Sequence, residues 1–370
     1  MTKMAHLVLA DGTRFAGTSF GADGAAVGEA VFTTGMTGYE EVLTDPSYCG
    51  QIVTMTAPQI GNTGITIEDG EAERPSLRGF VVRELSAIES NWRTRDSVDA
   101  YLKRRGIVGI TGVDTRTLTR RIRDVGAQMA AIGTEDPATL HDRATAAPPM
   151  IGQNLTGEVT TSQIYEWTQG TGVWSKPRED GRPWHIVAMD FGVKLNILRC
   201  LVDEGCRVTV VPAATSADAV LALNPDGIFL SNGPGDPAAV SGGVATVGQL
   251  LGKRPMFGIC LGHQLMSLAL GGQTYKLKFG HRGLNQPVKD LKTGRIEITT
   301  QNHGFCVDVA SLKNKCELTH RHLNDDTCEG IEHLETGAFS VQYHPEAAAG
   351  PHDSRYLFRR FTDAIARARS

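Results

Sequence analysis

Three things are scarce in this 370-residue sequence: surplus positive charge, apolar runs of membrane length, and cysteines at paired spacings. Against 41 Asp and Glu there are 37 Lys and Arg, a formal net charge of -4, so no basic stripe exists to hold a phosphate backbone. Nucleic acid is therefore not an expected partner. No apolar stretch approaches the roughly 20 residues that a bilayer span needs, and no membrane partner is expected either. The opening residues hold a short apolar run that ends at Asp11 and Gly12, without the pattern of a cleaved export signal. The expectation is a soluble, cytoplasmic chain. Seven cysteines, odd in number and scattered, fit reduced thiols better than a disulfide framework. Neither Gly-x-x-x-x-Gly-Lys nor a helix-opening Gly-x-Gly-x-x-Gly occurs, so no cofactor is expected in this chain.

What is present suggests two domains. The length, 41% hydrophobic content and 42 glycines allow two sizeable cores. Residues 1–150 contain short strand-like runs at 51–55 and 79–83 and helical periodicity at 97–102 and 115–122, which predicts a smaller α+β N-terminal domain. Residues 151–183 turn to Gln, Thr, Ser and Gly and end in the charged, turn-rich "SKPREDGRPW", the composition of a connector. From 184 to 370 strand-like runs ("HIVAMD", "RVTVVP", "GIFLSN", "PMFGIC") alternate with helical ones at 193–204, 217–223, 244–251 and 261–270, and a last helix covers 355–368. That alternation predicts an α/β domain with a mostly parallel sheet flanked by helices.

In such a sheet, sites form beyond the carboxyl ends of the strands. Within "FGICLGHQ", Cys260 falls on the turn between a buried strand and a helix, where the helix N-terminus favours a thiolate. Gly258 and Gly262 suit a strained, closely packed turn of the nucleophile-elbow kind. A cysteine at a strand end is most often only a small buried hydrophobe, and the reading as a nucleophile needs a base. "SVQYHPE" supplies His344 and Glu346, held in fixed relation by Pro345, so Cys260, His344 and Glu346 make a candidate triad. The loop "SNGPGDP" at 231–237 offers glycine N–H groups for an oxyanion. Cys49, Cys200, Cys206, Cys306, Cys316 and Cys328 lack the glycine frame and read as packing residues. "THRHL" near Cys316 and Cys328 matches no regular zinc spacing, and no metal is expected.

"NGPGDP", "GICLGHQ" and "QYHPE" resemble the class I, triad-type glutamine amidotransferases. "FTTGMTGYEEVLTDPSYCGQIV", "DFGVK" at 190–194, "QNHGF" at 301–305 and "PHD" at 351–353 are similar, within that group, to the small, glutamine-hydrolysing chain family of carbamoyl-phosphate synthase. Leu195 departs from the basic residue of many relatives. The resemblance implies that Cys260 attacks L-glutamine to form a thioester, that the N–H groups of Leu261 and Gly233 hold the oxyanion, and that His344, oriented by Glu346, protonates the departing ammonia. It also implies that Gly235, Gln264, Asn302, Gly304 and Phe305 cradle glutamine, with Ser47 reaching over from the first domain. Read alone, Gln264 on the elbow helix and Asn302 in a loop are surface or capping residues. The ammonia is implied to pass to a large synthetase chain, where ATP and Mg are expected and bicarbonate becomes carbamoyl phosphate for arginine and pyrimidine biosynthesis. The implied assembly is a heterodimer, or several heterodimers together, with the first domain as docking surface. A glutaminase serving another synthetase is opposed by the first domain's motif, and a non-catalytic glutamine-binding regulator by the complete triad.

Overall fold

The computed structural model describes residues 3–66, 68–175 and 183–369. They divide into two compact units, Met1–Gln153 with Lys278–Gly283, and Asn154–Leu277 with Leu284–Ser370.

In the first unit seven strands close into a barrel, in the order Met4–Leu9, Arg14–Gly21, Val108–Thr111, Gly79–Val81, Gln51–Met55, Ala25–Thr33 and Gln128–Gly133. Closure comes from the antiparallel register of Leu7 with Ile132 and Val8 with Ala131. Helix Thr115–Val125 starts where Asp114 accepts the Thr117 N–H at 3.0 Å, and it buries Leu118 and Ile122 in the same core as Leu7, Ile110 and Ile132. The α+β content was legible in the sequence; the barrel was not, because its closing strands lie at opposite ends of the domain. A late stretch of chain joins this unit. The Lys278 carbonyl accepts the Ala127 N–H at 2.8 Å, and Phe279 stacks on Phe32 with centroids 6.0 Å apart.

The second unit holds a ten-stranded sheet. Its order is Tyr165–Trp167, Arg207–Pro212, His185–Asp190, Gly227–Leu230, Met256–Ile259, Phe339–Val341, Cys328–His333, Cys316–His322, Gln273–Asp290 and Ile296–Asp308. Strands Arg207–Pro212 through Phe339–Val341 are parallel to one another. Both of their faces are covered, which is why they read as continuous apolar runs. Ile186, Ala188, Phe229 and Phe257 point to one side, against Ile197 and Leu201 of helix Leu195–Asp203 and Phe361 of helix Tyr356–Arg369. Val187, Met189, Ile228 and Leu230 point to the other, against Leu250 of helix Ser241–Leu250 and Leu265 of helix Leu261–Ala269. Full burial of each of these side chains larger than alanine contributes about 1.5–3 kcal/mol. Beyond Phe339–Val341 the sheet turns antiparallel, an extension the sequence showed only as further strand-like pieces.

The stretch with connector composition is partly structured. Tyr165–Trp167 adds an antiparallel edge strand to Val208–Val210, and Asp203 accepts hydrogen bonds from the Thr171 N–H and the Ser175 hydroxyl. A three-residue edge strand is too short to display a period. Residues 176–182, the charged part of the same stretch, lie outside the described residues.

Candidate catalytic site

Strand Met256–Ile259 ends directly on Cys260, the N-cap of helix Leu261–Ala269, with φ 53° and ψ -104°. A non-glycine residue there costs on the order of 1–3 kcal/mol, so the surroundings must impose it. They do so through backbone bonds. The Cys260 N–H donates to the Val341 carbonyl at 2.9 Å, the Cys260 carbonyl accepts from Gln264 N–H at 3.1 Å, and Gly262 N–H donates to Ser231 at 3.0 Å. The flanking glycines make room. A Cβ on Gly258 would stand 2.9 Å from the Gly262 backbone, and one on Gly262 only 2.3 Å from the Leu230 carbonyl oxygen. Gly262→Ala must therefore lever the helix off the sheet, and we expect a loss of about 3 kcal/mol or more in urea unfolding. An unchanged midpoint would show that the turn tolerates a wider spacing.

The strand alongside, Phe339–Val341, leads to His344, whose N–H donates to Thr300 at 2.9 Å. His344 Nδ1 lies 2.7 Å from Glu346 Oε1, and both side chains are fully buried. The same carboxylate oxygen accepts from Lys194 Nζ at 3.0 Å, while Asn196 Nδ2 donates to the Glu346 carbonyl. Burial alone would raise the Glu346 pKa, but the Lys194 and His344 charges outweigh it and hold the carboxyl well below its usual range. For His344 burial works downward; the Glu346 charge overrides it and the Cys260 thiol adds to the rise, against an opposing Lys194, so the imidazole keeps its proton above the usual pH. The Cys260 thiol points at the Asn302 carbonyl, 3.8 Å away. A strained thiol, an imidazole with a raised proton affinity and a carboxylate locked in its ionised form are thus gathered at one sheet edge.

Lys194 went unrecognised as a site residue in the sequence. A lysine after a glycine-containing loop looks solvent-exposed, yet this one is 5% exposed. The available signal was indirect: a buried ionised carboxylate needs a cation.

The residues expected around glutamine are only partly gathered in this unit. Gln264 is buried, and its amide donates to the Phe305 carbonyl at 2.9 Å and to Gln342 Oε1 at 3.0 Å. Asn302 and Phe305 are buried within strand Ile296–Asp308, which corrects the reading of Asn302 as a loop residue; Gly304 between them is half-buried. Gly233 adjoins the elbow, since a Cβ on it would meet Leu261 Cδ2 at 2.7 Å and the Phe191 carbonyl oxygen at 2.3 Å. Gly235 turns the loop with φ 90°. Ser47 belongs to the other unit, on the short turn Pro46–Tyr48, with its N–H donating to Asp45 Oδ1 at 2.8 Å.

The remaining cysteines sit in packing environments. Cys200 and Cys206 lie in one core of the second unit, Cys306 and Cys328 in the other, and burial pushes the Cys306 thiol up to about 12 and that of Cys316 to about 11. No disulfide occurs among the described residues. His320 and His322 turn to Thr319 and Gln286 and are not gathered with Cys316 and Cys328 into one ligand set. Among the described residues no helix is long and apolar enough to cross a membrane.

Comparison with known proteins gives a consistent picture. Residues 187–364 match the family Glutamine amidotransferase class-I, and residues 7–132 match Carbamoyl-phosphate synthase small chain, CPSase domain. Over 99% of its length the chain is 57% identical to the carbamoyl phosphate synthase small chain of Syntrophotalea carbinolica, of which 98% is covered. It is 58% identical to that of Thermosynechococcus vestitus, with 98% of this chain and 96% of the relative aligned. The small chain of Escherichia coli K12 is 51% identical, with 99% and 98% aligned.

Proposed function

Since the chain belongs to the carbamoyl-phosphate synthase small-chain family, the glutaminase subunit of that enzyme, we propose that Cys260, His344 and Glu346 carry its glutamine hydrolysis. The observation that carries this assignment is the 2.7 Å bond between His344 and Glu346, buried and backed by Lys194, beside a cysteine in a strained turn. His344, with its raised proton affinity, already holds the proton that comes from the Cys260 thiol when the sulfur attacks the carboxamide carbon of L-glutamine. The N–H groups of Gly233 and Leu261 hold the tetrahedral oxyanion. His344 returns the proton to the leaving nitrogen, ammonia departs, and a thioester remains. Water, deprotonated by the same imidazole, then releases glutamate and restores the thiol. Glu346 keeps Nδ1 protonated and stabilises the imidazolium in both halves.

Ser47, Gly235, Gln264, Asn302, Gly304 and Phe305 cradle the amino acid in this reading. A zwitterion with a neutral amide asks for fixed donors and acceptors rather than one large opposite charge. Ammonia passes to a large synthetase chain that binds ATP and Mg, in a cytoplasmic heterodimer or an assembly of heterodimers, and residues 1–150 serve as the docking domain. The test is glutamate release from L-glutamine by the purified chain, alone and then with a cognate large chain, bicarbonate and ATP. A low rate that rises strongly in the mixture is expected. Background rates in both, with the chains bound to each other, would replace catalysis by a glutamine-binding regulatory role.

A further inference from the structure

An oxyanion donor works only if its loop stands at a fixed distance from a sulfur and an imidazole that other strands carry. One side chain spans that gap. Asn232 is completely buried immediately before Gly233, and its Oδ1 accepts the backbone N–H of Lys194 at 3.0 Å. Lys194 is the residue whose Nζ holds Glu346. The preceding residue ties the loop down as well. Ser231 Oγ accepts the Phe191 N–H at 2.9 Å and donates to the Asn232 carbonyl at 2.8 Å, and the Ser231 carbonyl accepts the Gly262 N–H on the elbow helix. The loop is thus registered against the elbow by Ser231 and against the segment that anchors Glu346 by Asn232.

We infer that Asn232 is a positioning residue, which sets the Gly233 N–H against the His344–Glu346 side of the site through the Lys194 backbone. The inference rests on the role proposed above for Gly233. It has a distinctive signature, because Asn232 holds the Lys194 main chain and not its charge. Removing the amide releases the loop from the Lys194 segment, while Ser231 still ties it to the elbow and the Lys194, Glu346 and His344 charges stay in place. The oxyanion contact is made only after attack, so its loss falls on kcat and leaves glutamine binding largely intact. A displacement of about 1 Å at such a site costs on the order of 100-fold, and loss of a whole donor about 100- to 1,000-fold.

The experiment uses the full chain assembled with its cognate large chain and measures glutamate release against glutamine concentration and pH. Asn232→Ala is expected to lower kcat about 10- to 100-fold with KM within about twofold and an unshifted pH profile. Asn232→Ser, which stays neutral but carries its oxygen one bond too short to hold the Lys194 N–H, is expected to lower kcat as the alanine variant does, again with KM within about twofold. Wild-type kcat in Asn232→Ala, with Cys260→Ser inactive in the same assay, would overturn the inference and leave the catalytic reading standing. A KM rise or pH shift as large as the kcat loss would also overturn it, by showing a general loosening. Should the alanine variant fail to fold, the serine variant decides, since a folded protein with wild-type kcat contradicts the role of the acceptor. No glutamate release by the wild type would remove the catalytic reading itself.

Discussion

Cys260→Ser will leave the complex able to make carbamoyl phosphate from free ammonia while glutamine-dependent synthesis falls by about four orders of magnitude. The substitution is nearly isosteric. Serine meets the same backbone demand at φ 53°, so the turn and both units should persist and the comparison isolates the sulfur. What changes is acidity, since a hydroxyl holds its proton far more tightly than a thiol and must lose it during attack. The two nitrogen sources, assayed in one preparation, separate chemistry from assembly: ammonia bypasses the small chain's reaction and reports only on the large chain. If glutamine turnover survived, Cys260 would be one more packing residue of its core and the nucleophile would lie elsewhere.

Glu346→Gln is the second large effect, and it reaches stability as well as rate. The kcat is expected to fall about 1,000-fold or more, because the amide cannot hold His344 in the required tautomer or offset its charge. Lys194, 5% exposed, loses its counter-charge; breaking one side of a buried pair costs about 3–5 kcal/mol. The pH dependence has a definite sign. The Glu346 pKa is lowered from 4.5 to about 2, so its contribution to stability is present above 4.5 and is lost as pH falls toward 2. The His344 pKa is raised from 6.5 to about 10, so its contribution is complete below 6.5 and is lost as pH rises toward 10. Urea midpoints of the wild type should decline in both windows. Those of Glu346→Gln should start lower and run flatter. Parallel curves for the two proteins would mean that this ion pair does not set the pH dependence.

The parallel half of the second unit was readable because strands buried on both faces leave continuous apolar runs, and because single helices between them fix their direction. His185–Asp190, Gly227–Leu230 and Met256–Ile259 were found in this way. The strained turn at Cys260 was readable from its two glycines, and the pairing of His344 with Glu346 from their spacing around a proline. What stayed hidden depends on partners distant in the chain. Leu7 gives no sign that it will pair with Ile132, nor Asn302 that it lies on a long strand instead of in a loop. The roles of Lys194 and Asn232 emerge only when residues 190–196, 231–235 and 344–346 are brought to one edge, and no local pattern encodes that meeting.

The return of Lys278–Gly283 to the first unit bears on how the protein is made. A ribosome that has released residue 153 has produced all seven barrel strands but not this last contribution. At about 5–20 residues per second, the missing segment follows roughly 6–25 s later. Throughout that interval Phe32 lacks the ring of Phe279 and the Ala127 N–H lacks the Lys278 carbonyl. N-terminal-first folding is the usual order for domains during synthesis. Here the leading unit reaches its final form only when most of the trailing one has been translated, and the nascent chain must stay soluble in an unfinished state until then.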